Sequence, residues 1–308
     1  MLRLGVDLGG TKTEGIVMDA AGTILARERR PTPQQRGYPA ILQTIHDLIG
    51  GLETKVGEHC HVGIGTPGAL SPRTGLLKNS NTVALNGRPL KTDLEELLAR
   101  PVRLANDANC FTLSEAIDGA AKDRAVVFGV IVGTGVGGGI ALHGRVHEGV
   151  QRIAGEWGHN ILEPDGPRCY CGRNGCVETF LSGPGLTHDY RTHGGDADRD
   201  AVTIVERAAA GEALAEAAVQ RYLERFGRAL AGVINILDPD AVVLGGGLSN
   251  VKRLYSEGRE RVAHYVFSAQ GDRTSATVND EFRTPILPNV HGDSSGVRGA
   301  ARLWDANE

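Results

Sequence analysis

Aromatic side chains make up only 5% of this 308-residue chain, and neither sign of charge prevails, with 33 lysines and arginines against 37 acids and a net charge of -4. So even a balance offers no basic surface for nucleic acid or for an anionic membrane. Long hydrophobic runs are also lacking. The longest uncharged stretch, residues 125–142, reaches the length of a marginal membrane span, but glycines at 129, 133, 135, 137, 138 and 139 interrupt it. Strand, turn and strand are predicted there instead. No signal peptide is expected, because Gly5-Val6-Asp7 opens an ordered-looking segment almost at once. Cysteines number five, and without a secretion signal they favour a reducing cytoplasm. Glycine, by contrast, is plentiful at 43 residues, which points to tight turns and close backbone approaches. Hydrophobic content of 41% is ordinary for a globular protein. The length suits two domains of roughly 100–200 residues each.

Three of the cysteines crowd together as Cys169-x-Cys171-x4-Cys176, ten residues after His159. One imidazole and three thiolates are the complement of a closed tetrahedral zinc site. Gly172 and Gly175 supply the backbone freedom that a tight knuckle needs. A disulfide plus a spare thiol is the alternative. Three thiols cannot all pair, and neighbouring strand residues point to opposite faces, a poor geometry for a direct bridge. Zinc is therefore the favoured expectation. Glu156 and Glu178 flank the cluster, three residues before His159 and two after Cys176, so one metal would pin both carboxylates.

Residues 5–17 echo residues 129–141 at a constant offset, with identities at Gly5, Val6, Gly9, Gly15 and Ile16. Each stretch reads as a β-hairpin with a turn almost free of large side chains, able to present backbone amides to an anion. Two related hairpins predict two duplicated lobes facing one another across a cleft. A helix follows, with a buried stripe at Val219, Leu223, Phe226, Leu230, Val233 and Leu237, stopped at Asp238-Pro239. Ala241 to Leu244 then reads as a buried strand opening onto Gly245-Gly246-Gly247, a flat surface suited to a base or a sugar-phosphate. Earlier in the chain, Pro101-Val102-Arg103 reads as a short strand running into Asn106-Asp107, where one residue caps the next helix. A carboxylate at that position beside a phosphate site can also accept a proton from an attacking hydroxyl.

Together, Asp7-Leu8-Gly9-Gly10-Thr11-Lys12, Ala105-Asn106-Asp107-Ala108-Asn109, Gly133 to Gly139, Glu156-x-Gly-His159, Cys169-x-Cys-Gly-x-x-Gly-Cys176-x-Glu178 and Gly245-Gly246-Gly247 resemble the ROK sugar-kinase family. The likeness runs from residue 1 to Arg298-Gly299-Ala300-Ala301. Residues 85–90, 154–160 and 291–298 resemble the bacterial fructokinase branch. The resemblance implies an α/β, two-lobed actin/hexokinase/Hsp70-like (ribonuclease H-like) ATPase fold with duplicated lobes. Residues 1–115 plus 291–308 would form the first lobe and 116–290 the second, with the chain crossing near 110–120 and again near 290. A helix within 291–304 would return to the first lobe.

By the same resemblance, Asp107 is the general base of an ATP-dependent hexose kinase. Gly68, Asn106, Glu156, His159 and Glu178 bind the sugar, and Asp7 helps to hold Mg2+. Gly9, Gly10, Thr11, Lys12, Gly133, Thr134, Gly135, Gly137 and Gly138 cradle phosphates, and Gly245, Gly246 and Gly247 face the adenosine. His159, Cys169, Cys171 and Cys176 hold a structural Zn2+, and the second imidazole nitrogen of His159 points to the sugar or a carboxylate. Fructose is the preferred substrate, with glucose, N-acetylglucosamine and N-acetylmannosamine as alternatives. A homodimer is expected. Two other classes fare worse: a sugar-responsive repressor would need a helix-turn-helix ahead of Asp7, where only six residues stand. An actin-like filament ATPase has no use for the zinc cluster. Cys60 and Cys110 are expected to be buried apolar residues.

Overall fold

In the computed structural model, which describes residues 1–267 and 282–305, the opening residues alternate as a strand should. In β1 (Arg3–Leu8), Leu4, Val6 and Leu8 are fully buried, and β2 (Lys12–Met18) returns antiparallel with Asp7 opposite Glu14. β3 (Ile24–Pro31) pairs along β2. α1 (Tyr38–Val56) buries Ile41, Ile45, Leu48, Ile49 and Leu52 on one face, the spacing of an amphipathic helix, and stops at Gly57. β4 (His61–Thr66) lies parallel to β1. A small hairpin of β5 (Ala69–Leu70) and β6 (Leu77–Lys78) precedes α2 (Leu90–Leu98). β7 (Val102–Asn106) then joins β4 in parallel and runs straight into α3 (Asp107–Ile117). The first sheet is ordered β3-β2-β1-β4-β7.

The second hairpin is β8 (Val126–Val132) and β9 (Val136–Leu142), followed by β10 (Arg145–Val146). After the cysteine segment come α4 (Glu178–Leu181), α5 (Gly183–Thr192), α6 (Ala201–Ala209) and the 25-residue α7 (Ala213–Leu237). β11 (Ala241–Gly245) is parallel to β8; α8 (Glu257–Tyr265) and β12 (Ile286–Pro288) follow, and the chain ends in α9 (Ser295–Arg302). The second sheet is ordered β10-β9-β8-β11-β12. Strand for strand this repeats the first sheet: a hairpin with an outer third strand on one side and two parallel strands on the other. The duplication read from the two glycine hairpins therefore extends to whole sheets.

Two compact units result. One holds Met1–Ala125, Gly139–Gly155 and Val290–Glu308, the other Val126–Gly138 and Glu156–Asn289. The first unit thus runs on to Ala125, past the 110–120 drawn from sequence, and within it Glu115 accepts from Ala120 N at 2.9 Å. Gly139–Gly155 belongs to the first unit because Gly139 lies against α3, where a Cβ would come within 2.6 Å of the Ala108 carbonyl oxygen.

α9 returns to the first unit and packs on its sheet unusually closely. A Cβ at Gly63 of β4 would lie 1.9 Å from the Ala300 carbonyl oxygen, and one at Gly5 of β1 2.1 Å from that of Val297. Glycine there is a requirement of the helix–sheet approach. In α7 the buried stripe follows Val219, Leu223, Phe226 and Leu230 as expected, but its next member is Ile234. Val233 and Leu237 are only half-buried.

Candidate functional site

In the first unit, the parallel strands β1, β4 and β7 deliver their polar residues to one end of the sheet. Asp7 sits beside Gly65, and Thr66 beside Asn106. Carboxyl ends of parallel strands are where open α/β sheets bind ligands. Asn106 is the N-cap of α3: its Oδ1 accepts from Ala108 N at 2.9 Å and its Nδ2 donates to the Gly68 carbonyl at 3.2 Å. Gly68 itself needs positive φ (83°), and a Cβ there would lie 2.4 Å from the Lys78 carbonyl oxygen. Asp107 is the first residue of the helix, half-buried, with one carboxylate oxygen accepting from Ala108 N at 2.8 Å. The N-cap position thus belongs to Asn106, and Asp107 follows it as the first residue of the helix.

Asp7 is the other carboxylate of this face. Burial pushes its pKa up to about 7, with the negative charges of Asp107 and Glu14 adding to the shift and Lys12 opposing it. Glu14 is almost fully buried and is held by Arg27 and by Arg29, whose Nε donates at 2.7 Å. The β1–β2 turn is closed by Gly9 N donating to the Lys12 carbonyl at 3.0 Å. It is braced from outside by Thr32, whose hydroxyl donates to the Gly9 carbonyl at 2.7 Å, and by Gln34, which donates to that of Gly10. Thr11 and Lys12 are exposed.

In the second unit the cysteine segment closes on itself. Nδ1 of His159 and the sulfurs of Cys169, Cys171 and Cys176 lie within 4.8 Å of one another. Cys169 Sγ is 3.6 Å from His159 Nδ1, and Cys171 Sγ is 3.5 Å from Cys176 Sγ. Donor atoms bonded at ~2.0–2.3 Å to a tetrahedral zinc stand about 3.3–3.8 Å apart, so the donor types and these two separations fit that ion. Cys171 is held down to about 6, against a burial cost, by hydrogen bonds from Arg173 and the neighbouring thiols. The knuckle needs Gly175, with φ of 66°, since a Cβ there would fall 1.5 Å from the Glu163 carbonyl oxygen. All five cysteines are free thiols, and Cys60 and Cys110 are buried as expected.

Both flanking carboxylates follow from this knuckle. Glu156 precedes the single turn at Trp157–His159, and Glu178 begins α4 directly after Cys176 and Val177. One oxygen of Glu178 accepts from Val136 N at 3.0 Å, tying the knuckle to the β8–β9 turn. That turn is closed by Gly133 N donating to Gly135 O at 3.0 Å. The glycines of β11 reach the same place. A Cβ at Gly133 would lie 3.7 Å from Gly247 N, and one at Gly246 would lie 2.4 Å from the Val132 carbonyl oxygen. The second unit thus gathers Gly133 to Gly138, Gly245 to Gly247 and Glu178.

Several neighbours escaped the sequence. His159 Nε2 meets the Tyr170 hydroxyl at 3.0 Å rather than a carboxylate. Trp157 Nε1 donates to the Gly137 carbonyl at 2.9 Å, locking the Glu156 turn to the second hairpin. Glu115, wholly buried, accepts from Val290 N, His291 N and the Ser295 hydroxyl as well as from Ala120 N. Their partners are distant in sequence, so no local spacing announces them; Tyr170, lodged between two ligand cysteines, carried the one available hint.

Among known proteins, the chain is similar to an N-acetyl-D-glucosamine kinase of Yersinia pseudotuberculosis, 38% identical over 313 residues covering 97% of each. Its structure resembles that of a ROK hexokinase from Thermus thermophilus, with a TM-score of 0.84 and 33% identity over 98% of this chain and 97% of that one. It also resembles a ROK family glucokinase from Streptomyces griseus in complex with glucose and AMPPNP, with a TM-score of 0.78 and 27% identity over 98% and 99%. The two-sheet α/β fold of the actin/hexokinase type, expected from the motifs, is the one these structures share with it. The ROK family model matches residues 3–307, so this chain belongs to the ROK family.

Proposed function

We propose that the chain is an ATP- and magnesium-dependent sugar kinase that phosphorylates the 6-hydroxyl of N-acetyl-D-glucosamine. The observation that carries the reaction class is the pair Asp107 and Asp7, close enough at one end of the first sheet for the charge of Asp107 to raise the pKa of Asp7. In this reading Asp107 accepts the proton as the hydroxyl attacks the γ-phosphorus in line. Asn106, Glu156, His159, Glu178 and the Gly68 backbone hold the other hydroxyls. Gly9 to Lys12 and Gly133 to Gly138 present backbone amides to the phosphates, and Gly245 to Gly247 take the adenosine. Asp7 helps to hold magnesium, whose contribution when bound is to neutralise charge on the β- and γ-oxygens. A structural zinc on His159, Cys169, Cys171 and Cys176 fixes the two glutamates, and the thiolates it needs suit a reducing cytoplasm. Self-association as a homodimer is part of the same proposal.

The sugar assignment corrects the fructose preference drawn from three segments, which finds no support in the Yersinia relative. One residue in each of those segments has a structural task. Asn86 braces a turn, accepting from Ser80 N and donating to Ser80 O. Trp157 anchors a turn, and Arg298 pairs with Asp118 at 2.8 Å. Such residues keep a fold and do not choose a hexose. ATP consumption measured across fructose, glucose, mannose and the N-acetylhexosamines tests the assignment. The expected outcome is a kcat/KM for N-acetyl-D-glucosamine at least about tenfold above that for any other sugar, the scale of one good recognition contact. A fructose value equal or higher would overturn it.

A further inference from the structure

We infer that the first unit holds a second ligand site, for a small phosphorylated carbohydrate, in the cavity along the outer edge of β7. Among the described residues, this cavity of about 400 Å³ is lined by Lys91, Arg103, Arg145, Arg152 and Arg302 against a single acid, Glu148. Five cations to one anion reverse the balance of a chain whose net charge is -4. The volume lies in the range of small-molecule sites, and guanidinium forks are suited to phosphate oxygens.

The cations differ in how far they are committed. Lys91 pairs with Glu95 at 2.5 Å, and Arg152 reaches Glu148 at 3.7 Å. Arg103 donates to the Leu303 carbonyl at 2.7 Å and lies over the Trp304 ring. Arg302 is paired with Asp118 and Asp305, its side chain is 7% exposed, and its Nε has no hydrogen-bond partner. A buried donor without a partner costs about 1–3 kcal/mol, which an anion in the cavity would relieve. Apart from the charged residues, the described lining consists of leucine, valine, alanine and glycine. With no aromatic face for a base, a sugar carrying the phosphate suits the site better than a nucleotide.

The cavity also adjoins the reaction site of the first unit. A smaller cavity shares Leu70, Glu148 and Arg152 with it and is bounded on its other side by Asn106 and Asn109. The Asn109 Oδ1 there is buried and without a partner. Occupancy is therefore expected to shift Asn106 and with it the KM for the sugar, a coupling that, unlike the binding itself, rests on the sugar-kinase reading.

Calorimetric titration of the whole protein with N-acetyl-D-glucosamine 6-phosphate, with N-acetyl-D-glucosamine and AMPPNP present at saturation, tests the site. One molecule per chain is expected to bind, with Kd between about a micromolar and a millimolar. Arg145→Glu and Lys91→Glu should each weaken binding about tenfold or more, since each turns an attraction into a repulsion. Inorganic phosphate and ADP, titrated in parallel, should bind more weakly. Absence of saturable binding, equal affinity in wild type and both variants, or tighter binding of ADP would each overturn the inference. None of these readings needs turnover, so they stand apart from the failure of the kinase assignment, which the sugar panel would reveal.

Discussion

Asp107, the proposed base, opens α3 directly after Asn106, whose side chain accepts the cap hydrogen bonds. Asp107→Asn keeps shape and capping but removes the base. Turnover should fall by about a hundredfold or more with sugar and ATP affinities nearly kept; a variant within a few-fold of wild type in steady-state assays would remove the base assignment. Asp7 makes a separate prediction in pH. Its folded pKa of about 7 stands above the unfolded carboxyl value of about 3.9, so the folded state binds the extra proton between those limits. Metal-free protein should therefore lose stability as pH rises from about 4 through 7, and Asp7→Asn should flatten that dependence. Denaturant titrations at pH 5 and pH 8 check it: equal slopes of stability against pH in variant and wild type would mean that Asp7 ionises freely.

At the scale of elements, α9 is held by shape and by charge together. Small residues let it approach β1 and β4, while Glu115 of α3 takes the backbone amides of Val290 and His291 and the Ser295 hydroxyl just before it. Nearby, Asp118 gathers His291, Arg298 and Arg302, which hold its pKa well below the carboxylate range against the cost of burial. Glu115→Ala orphans one buried hydroxyl and three part-buried amides and should destabilise the protein by about 2–4 kcal/mol. Urea unfolding followed by circular dichroism would show it, and a loss below about half a kcal/mol would place the return helix under other control. Hairpins, the α7 stripe, the knuckle and the capped α3 were legible in sequence because each is written in local spacing. Glu115, Trp157, Tyr170 and the Thr32 brace were not. Glu115 reaches Val290 and His291 across more than 170 positions, Trp157 and Thr32 reach partners about 20 away, and only Tyr170, between Cys169 and Cys171, stands beside a motif.

Across the whole molecule, the proposed zinc site at His159, Cys169, Cys171 and Cys176 would decide how far a local loss spreads. When bound, the metal restrains the segment that carries Glu156 and Glu178, and its removal should loosen both sugar contacts at once. The phosphate hairpin β1–β2 has its own braces in Thr32, Gln34 and Glu14, none of which depends on the cysteines. The β8–β9 turn is intermediate, since Glu178 holds Val136 N. Chelation or Cys171→Ser should therefore weaken sugar binding by about tenfold or more, nucleotide binding by only a few-fold, and leave the first unit folded. Metal analysis should find one zinc per chain before chelation. Calorimetry with N-acetyl-D-glucosamine and with AMPPNP, before and after, measures the two affinities. If both fell together, the knuckle would be supporting the fold of the second unit at large; if sugar affinity survived, Glu156 and Glu178 would be held by the polypeptide alone, through the Trp157 and Val136 contacts.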